Sequence, residues 1–190
     1  QGVSSAASDV YKRQGGNGQN NITVSQGATL QITSARGSSY HRGTVTVNGG
    51  SLVLNGSDLS LASGKAITLD TAAVTISGTG QLRRRDAGNQ IVVNALASGS
   101  VISMTELNLF DNSPVINVAD GSQTNDLTIS GGITGSATMT KQGAGTLYLT
   151  ANNSASYSGG IELTNGAIRV DSLNALGSGY LGIKNSTFIY

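Results

Sequence analysis

The sequence predicts an all-β fold, a right-handed parallel β-helix with three short strands per coil. Three observations predict it. Apolar residues alternate in pairs, as Leu147 and Leu149 do between Thr146, Tyr148 and Thr150 in KQGAGTLYLT, and a period of two marks a strand with one face buried. The pairs are short and separated by NGG, NGS, SQG and ASG, turn material whose Gly and Asn tolerate positive φ. Every third pair also recurs at a near-constant interval: Ile22 to Val45 is 23 residues, and Leu30 to Leu52, Val45 to Ile67 and Leu52 to Val74 are 22 each. A period in the range of about 20–50 residues is the signature of a solenoid.

In chain order, the expected rungs are Ile22/Val24, Leu30/Ile32, Val45/Val47, Leu52/Leu54, Leu59/Leu61, Ile67/Leu69 and Val74/Ile76. RGSSYHRG, Arg36–Gly43, fills the slot of a missing pair and reads as a polar rung or a protruding loop. From Arg83 to Gln123 the rhythm loosens around RRRDAGNQ and LFDNSPVINVADGSQTND, yet Ile91/Val93, Leu107/Leu109 and Ile116/Val118 still fit as rungs. Longer turns on the same helix are expected there. The rhythm returns at Leu127/Ile129, so residues 15–134 are read as β-helix coils. Residues 135–180 continue the same helix, and residues 181–190 read as a further coil begun and cut off.

The start of the chain is different. SSAASDVYKRQ, Ser4 to Gln14, resembles the in-frame translation of a transposon-based sequencing-library adapter along its whole length. Residues 1–14 are therefore expected to be an artefact outside the fold. Removing Lys12, Arg13 and Asp9 from the eleven basic and ten acidic residues leaves nine of each, a net charge of zero.

Composition narrows the rest. Charged residues make up 11% against about 25% in an ordinary domain. Together with 27 Gly, this would suit a disordered linker, but a disordered chain has no reason to alternate. The near-neutral charge excludes the basic footprint of a nucleic-acid-binding domain. With no Cys, disulfides, thiolate metal sites and cysteine nucleophiles are excluded. A transmembrane β-barrel needs strands of about 9–11 residues and aromatic girdles, and a β-sandwich would be antiparallel. These strands are shorter, and aromatics are only 4%.

MTKQGAGTLYLTANNSASYSGGIELTNGAIRVDSLNALGSG, between Gly135 and Gly179, resembles the passenger-associated transport repeat, also called the autotransporter-associated β-strand repeat. The matching residues run in order through Lys141, Gly143, Gly145, Thr146, Leu147, Leu149, Asn152, Asn153, Tyr157, Gly159, Gly160, Asn165, Gly166, Ala175, Leu176 and Gly177. Read as residues, Gly143 and Gly145 serve the turn into a strand and Leu147 and Leu149 enter the core. Tyr157 packs over a corner ahead of Gly159–Gly160. Gly166 bends the chain so that Ile161/Leu163 and Ile168/Val170 form adjacent sides of one coil. The loop ANNSASYSGG departs from the family in carrying Ser and Ala where Gly or Thr is preferred. The resemblance implies a secreted bacterial passenger β-helix, associated with the cell surface and exported through an outer-membrane translocator barrel of the same polypeptide. A monomer is expected.

Candidate chemistry is sparse. β-Helix lyases and hydrolases cluster Asp with Arg or Lys, and only Asp86, beside Arg83, Arg84 and Arg85, and the region of Glu106 and Asp111 offer clustering. Asp58, Asp70 and Asp126 sit beside turn signals, where Asp bonds its own backbone. The lone His41 lacks the partners that nucleophilic or metal chemistry needs. GGNGQNN is similar to a calcium-binding nonapeptide, but Asn20 stands where an acidic ligand belongs. No catalytic residue, metal site or cofactor is expected. Arg83, Arg84 and Arg85 are the candidates for contact with host or surface glycans. The sequence thus predicts a structural stalk or adhesin-type scaffold that is not an enzyme, with a glycan-degrading β-helix as the alternative.

Overall fold

The computed structural model describes residues 21–33, 38–41, 43–83, 88–109 and 113–190. Within them the chain winds into a β-solenoid of three parallel faces. Eight strands build the first sheet: Ile22–Val24, Val45–Asn48, Ala66–Asp70, Gln90–Val93, Val115–Val118, Met139–Gln142, Ile161–Leu163 and Leu181–Ile183. Eight more build the second: Thr29–Thr33, Ser51–Asn55, Thr75–Ser77, Ser100–Ile102, Leu127–Ile129, Thr146–Leu149, Ala167–Val170 and Thr187–Ile189. The third sheet holds five: Ser38–His41, Asp58–Leu61, Gln81–Arg83, Glu106–Asn108 and Gly132–Thr134. Every strand pairs in parallel with its counterpart one coil away, so eight rungs span roughly 34 Å at about 4.8 Å per step.

The interior follows from register. In the first sheet Ile22, Val45, Ile67, Ile91 and Ile116 stack in one inward column. In the second, Leu30, Leu52, Ile76, Ile102, Ile129, Leu149 and Val170 do the same. Nearly all of these side chains are fully buried. Each contributes roughly 1.5–3 kcal/mol on leaving water, which offsets the ordering entropy only because neighbouring coils cover one another.

Two features differ from the simplest reading of the spacing. Leu52 pairs with Ile76 and not with Val74. The turn after Asp70 takes up two further residues: Thr71 adopts φ 64, and its amide donates to Asp70 Oδ1 at 2.8 Å. Val74 shifts one column over, where its amide donates to Ser100 Oγ at 2.9 Å.

The third face also changes character after Gly132–Thr134. Its next rung is a single parallel bridge between Gly135 and Tyr157, and one coil further on the 3-10 turn Leu173–Leu176 takes that side. ANNSASYSGG carries no alternating aliphatic pair, so this side has nothing with which to build a strand. RGSSYHRG, by contrast, does supply a rung, since Ser38–His41 pairs with Asp58–Leu61. The irregular region from Arg83 to Gln123 carries strands of all three sheets.

Candidate functional site

The two places that sequence reasoning singles out are the outer face of the third sheet around Arg83 and the repeat between residues 135 and 180. On the third sheet, outward positions stack in two columns. One runs Asp58, Gln81, Glu106 and Gly132, and the other Ser60, Arg83, Asn108 and Thr134. Arg83 Nε lies 3.3 Å from Asp58 Oδ2 and donates to Gln81 Oε1 at 2.8 Å. The Glu106 carboxylate accepts from Gln81 Nε2 in the coil below, from Asn108 Nδ2 at 3.1 Å and from Thr134 Oγ1 at 2.6 Å in the coil above. Donors and acceptors on this face are thus set largely against each other, in a ladder crossing four coils. Asp58 pairs with Arg83 across coils rather than bonding its own turn. Arg84, Arg85, Asp86 and Asp111, together with residues 1–14, lie outside the described residues. Among the described residues no group of three or more His, Asp or Glu is placed to hold a metal ion.

The repeat is organised around buried polar side chains. Lys141 occupies an inward position between Ile116 and Leu163, in a column otherwise made of aliphatic residues. It is completely buried. The neighbouring inward column ends here, because Val118 is followed one coil on by Gly143. That residue has φ 77, and a Cβ on it would stand 2.3 Å from the Val118 carbonyl oxygen. The lysine side chain comes in beside this early turn, and its Nζ donates to the carbonyls of Gln142 at 2.9 Å, Gly143 at 2.8 Å and Asn165 at 3.1 Å. Burial lowers the Lys141 pKa to about 8, partly countered by the Asp126 carboxylate.

Asp126 is also buried and also joins coils. Its Oδ1 accepts from Ser98 Oγ at 2.7 Å and from the Gly121 amide at 2.8 Å, while Oδ2 accepts from the Thr146 amide at 2.8 Å. Beyond the Gly121 amide of its own loop, Asp126 thus holds Ser98 and Thr146 in the coils on either side. Asp70 does bond its own turn.

Asn153 completes the set. Its Oδ1 accepts from the Ile133 amide at 2.8 Å one coil below, and its Nδ2 donates to the Ala175 carbonyl at 2.8 Å one coil above. Asn89 ties its coil to the one below alone, accepting from the Lys65 amide at 3.3 Å and donating to the Leu61 carbonyl at 3.1 Å. Tyr157 is fully buried beside the Gly159–Gly160 turn. Its hydroxyl donates to the carbonyl of Ala137 or of Gly160 and accepts from the Met139 amide at 3.1 Å. Burial pushes its pKa up to about 12.

The remaining repeat residues fall around this polar interior. Leu147, Leu149, Leu163, Ile168, Val170 and Ala175 are core, and Leu176 packs half-buried against it. Gly166, with φ 74, lies between the strands Ile161–Leu163 and Ala167–Val170. Gly145, Gly159, Gly160 and Gly177 pass close to atoms of adjacent coils. Outward, Thr146 is half-buried and Tyr148 stacks under Arg169, whose Cζ lies 4.8 Å from the ring centroid. Tyr148 donates its hydroxyl to Asp171 Oδ2, and that bond is the main cause of its raised pKa. Sequence reasoning did not find this Tyr148–Arg169–Asp171 group. Arg169 and Tyr148 are 21 residues apart, one coil of the repeat, and that spacing is the signal that could have paired them.

The family model of the passenger-associated-transport-repeat matches residues 139–170. The match begins at the strand that carries Lys141 and ends with Val170. No curated protein and no solved structure matches the chain. The repeat and the β-solenoid together fit an autotransporter passenger scaffold.

Proposed function

We propose that the chain is a stretch of an autotransporter-like passenger, a rigid secreted stalk or adhesin-type surface scaffold with no active site of its own. The observation that carries this reading is that the matched repeat, residues 139–170, supplies rungs to the same two sheets that run from Ile22 onward. A repeat that extends a solenoid adds length and stiffness, since each coil touches only its neighbours. In this reading the chain is monomeric, reaches the cell surface, and is linked to a translocator barrel in the full polypeptide. Arg83, with Arg84 and Arg85, offers contact to surface glycans.

The alternative is a glycan-degrading β-helix. A hydrolytic pair needs one carboxylate free to protonate a leaving group and another to act as base or nucleophile. Asp58 and Glu106 do share a column two rungs apart. Three donors surround Glu106, however, and Arg83 pairs with Asp58. That engagement supports the scaffold. Intact cells expressing the full reading frame should bind an antibody raised against the solenoid, and the purified chain should show no turnover on a panel of polysaccharides. Turnover abolished by Glu106→Gln would overturn the scaffold reading, as would antibody access only after the cells are permeabilised.

A further inference from the structure

The geometry points to Asn165–Gly166 as a self-modification site, where the asparagine side chain closes on the glycine amide and ends as aspartate or isoaspartate. Asn–Gly occurs at residues 17–18, 48–49, 55–56 and 165–166, and the first of these lies outside the described residues. The other three glycines share a positive φ, at 64, 67 and 74, so the turn alone does not separate them. Their surroundings do. Asn48 sits in a strand, half-buried and paired with Asp70. The Gly56 amide is drawn away from Asn55, donating to Thr79 Oγ1 at 3.1 Å in the next coil. At Gly166 the amide instead donates to Asn165 Oδ1 at 2.8 Å. A carbonyl bond is about 1.23 Å long, so this nitrogen lies within about 4 Å of the Asn165 Cγ that it would attack.

The same peptide group carries a second feature. Lys141 Nζ donates to the Asn165 carbonyl at 3.1 Å. Attack requires the Gly166 nitrogen to lose its proton, and the negative charge left behind is shared with that carbonyl oxygen by amide resonance. An ammonium already bonded to this oxygen stabilises the charge as it develops. Among the described residues, Asn165 is the Asn–Gly asparagine to whose carbonyl a lysine donates. Its side chain is exposed, so water reaches it. Coils are in place on both sides of this corner. A Cβ on Gly166 would stand 2.4 Å from the Gly143 carbonyl oxygen below, and the Gly166 carbonyl accepts from the Thr187 amide at 3.0 Å above.

The reaction needs only water. Hydroxide removes the Gly166 amide proton, the bond from Gly166 N to Asn165 Cγ forms, and the Cγ–Nδ2 bond breaks. The leaving nitrogen takes a proton from water and departs as ammonia. A further water opens the cyclic imide. Cleavage at Cγ leaves aspartate, and cleavage at the main-chain carbonyl leaves isoaspartate, with one more carbon in the main chain. That longer link falls where Gly166 already crowds Gly143, and the Gly143 and Asn165 carbonyls are both acceptors of Lys141. Each isoaspartate therefore disturbs the cluster that holds the buried lysine.

The site does not depend on the scaffold reading. The test is incubation of the full chain at neutral pH and at a temperature below its melting point, with timed peptide mapping by mass spectrometry and enzymatic methylation to count isoaspartate. Asn165 should convert at least about tenfold faster than Asn48 and Asn55, to a mixture of aspartate and isoaspartate. Lys141→Met should slow Asn165 about tenfold and leave Asn55 unchanged. A merely structural lysine would give the opposite sign, because a loosened turn reaches the cyclising geometry more readily. Where that variant does not fold, the wild-type chain decides. Above about pH 8, as Lys141 loses its charge, the ratio of Asn165 to Asn55 conversion should fall. The charge that acts on Lys141 is Asp126, while Glu162 on the adjacent strand Ile161–Leu163 occupies an outward position. Conversion of Asn165 no faster than Asn55, a rate that Lys141→Met leaves unchanged or raises, or a ratio that stays constant through that pH range would each overturn the proposal.

Discussion

Replacing Lys141 with Met tests the buried polar interior directly. In the folded chain the lysine titrates near pH 8, against 10.5 for the ordinary side chain. Between those values the unfolded chain binds more protons than the folded one, so stability must rise with pH across that window. From pH 7 to pH 9.5 the gain works out at about 2 kcal/mol, and it is fully developed only above pH 10.5. Tyr157 acts in the opposite sense, but only from about pH 10 upward, because its pKa is raised and the unfolded tyrosine ionises first. Measurements between pH 7 and 9.5 therefore isolate the lysine. The Met variant should have lost this slope. It should also be less stable at every pH by about 2–4 kcal/mol, since the Gln142, Gly143 and Asn165 carbonyls lose their shared donor. Urea unfolding followed by circular dichroism at a series of pH values gives both quantities. If wild type and Lys141→Met kept parallel stability profiles over that range, the ammonium would not be buried as described and the argument would fail.

Asn153→Ala should cost about 2–4 kcal/mol, because it strands the Ile133 amide and the Ala175 carbonyl in the interior; urea midpoints check it, and a loss under half a kilocalorie would mean that water replaces the side chain. Leu147→Asp should cost at least about 4 kcal/mol through lost burial and an unpaired charge, whereas Thr128→Asp on the outward face of the adjacent coil should stay within about 1 kcal/mol. Equal tolerance of the two in thermal melts would invert the assigned parity.

The fold was largely legible because its cause is local and periodic. Every aliphatic pair named from the sequence between Val24 and Val170 places its residues in the core, since alternation sets which side chains face inward and the 22-to-23-residue interval sets which coil lies beneath. Legibility failed where a turn absorbed extra residues, as after Asp70, because loop length is not periodic. The buried position of Lys141 could have been read, since it shares parity with Met139 and lies 22 residues before Leu163. Asp126 could not. Two of its three partners are main-chain amides, and the third, Ser98, is 28 residues away. Nothing in residue type marks such a bond.

These polar groups also answer a problem that an aliphatic solenoid cannot solve. Sliding one strand by two residues along its neighbour keeps every inward Leu, Ile and Val inward, so apolar burial alone discriminates poorly between registers. The hydrogen bonds of Asn89, Asp126, Lys141 and Asn153 are not tolerant in this way. Each reaches a named amide or carbonyl in an adjacent coil. A two-residue slip would leave both the side chain and its partner buried and unsatisfied, at about 1–3 kcal/mol per group and more for the two charges. Three of the four lie between Asp126 and Asn153, next to the point where the third sheet gives way to loops and the coil loses one of its three ladders. The interior becomes polar where the strands alone specify register least.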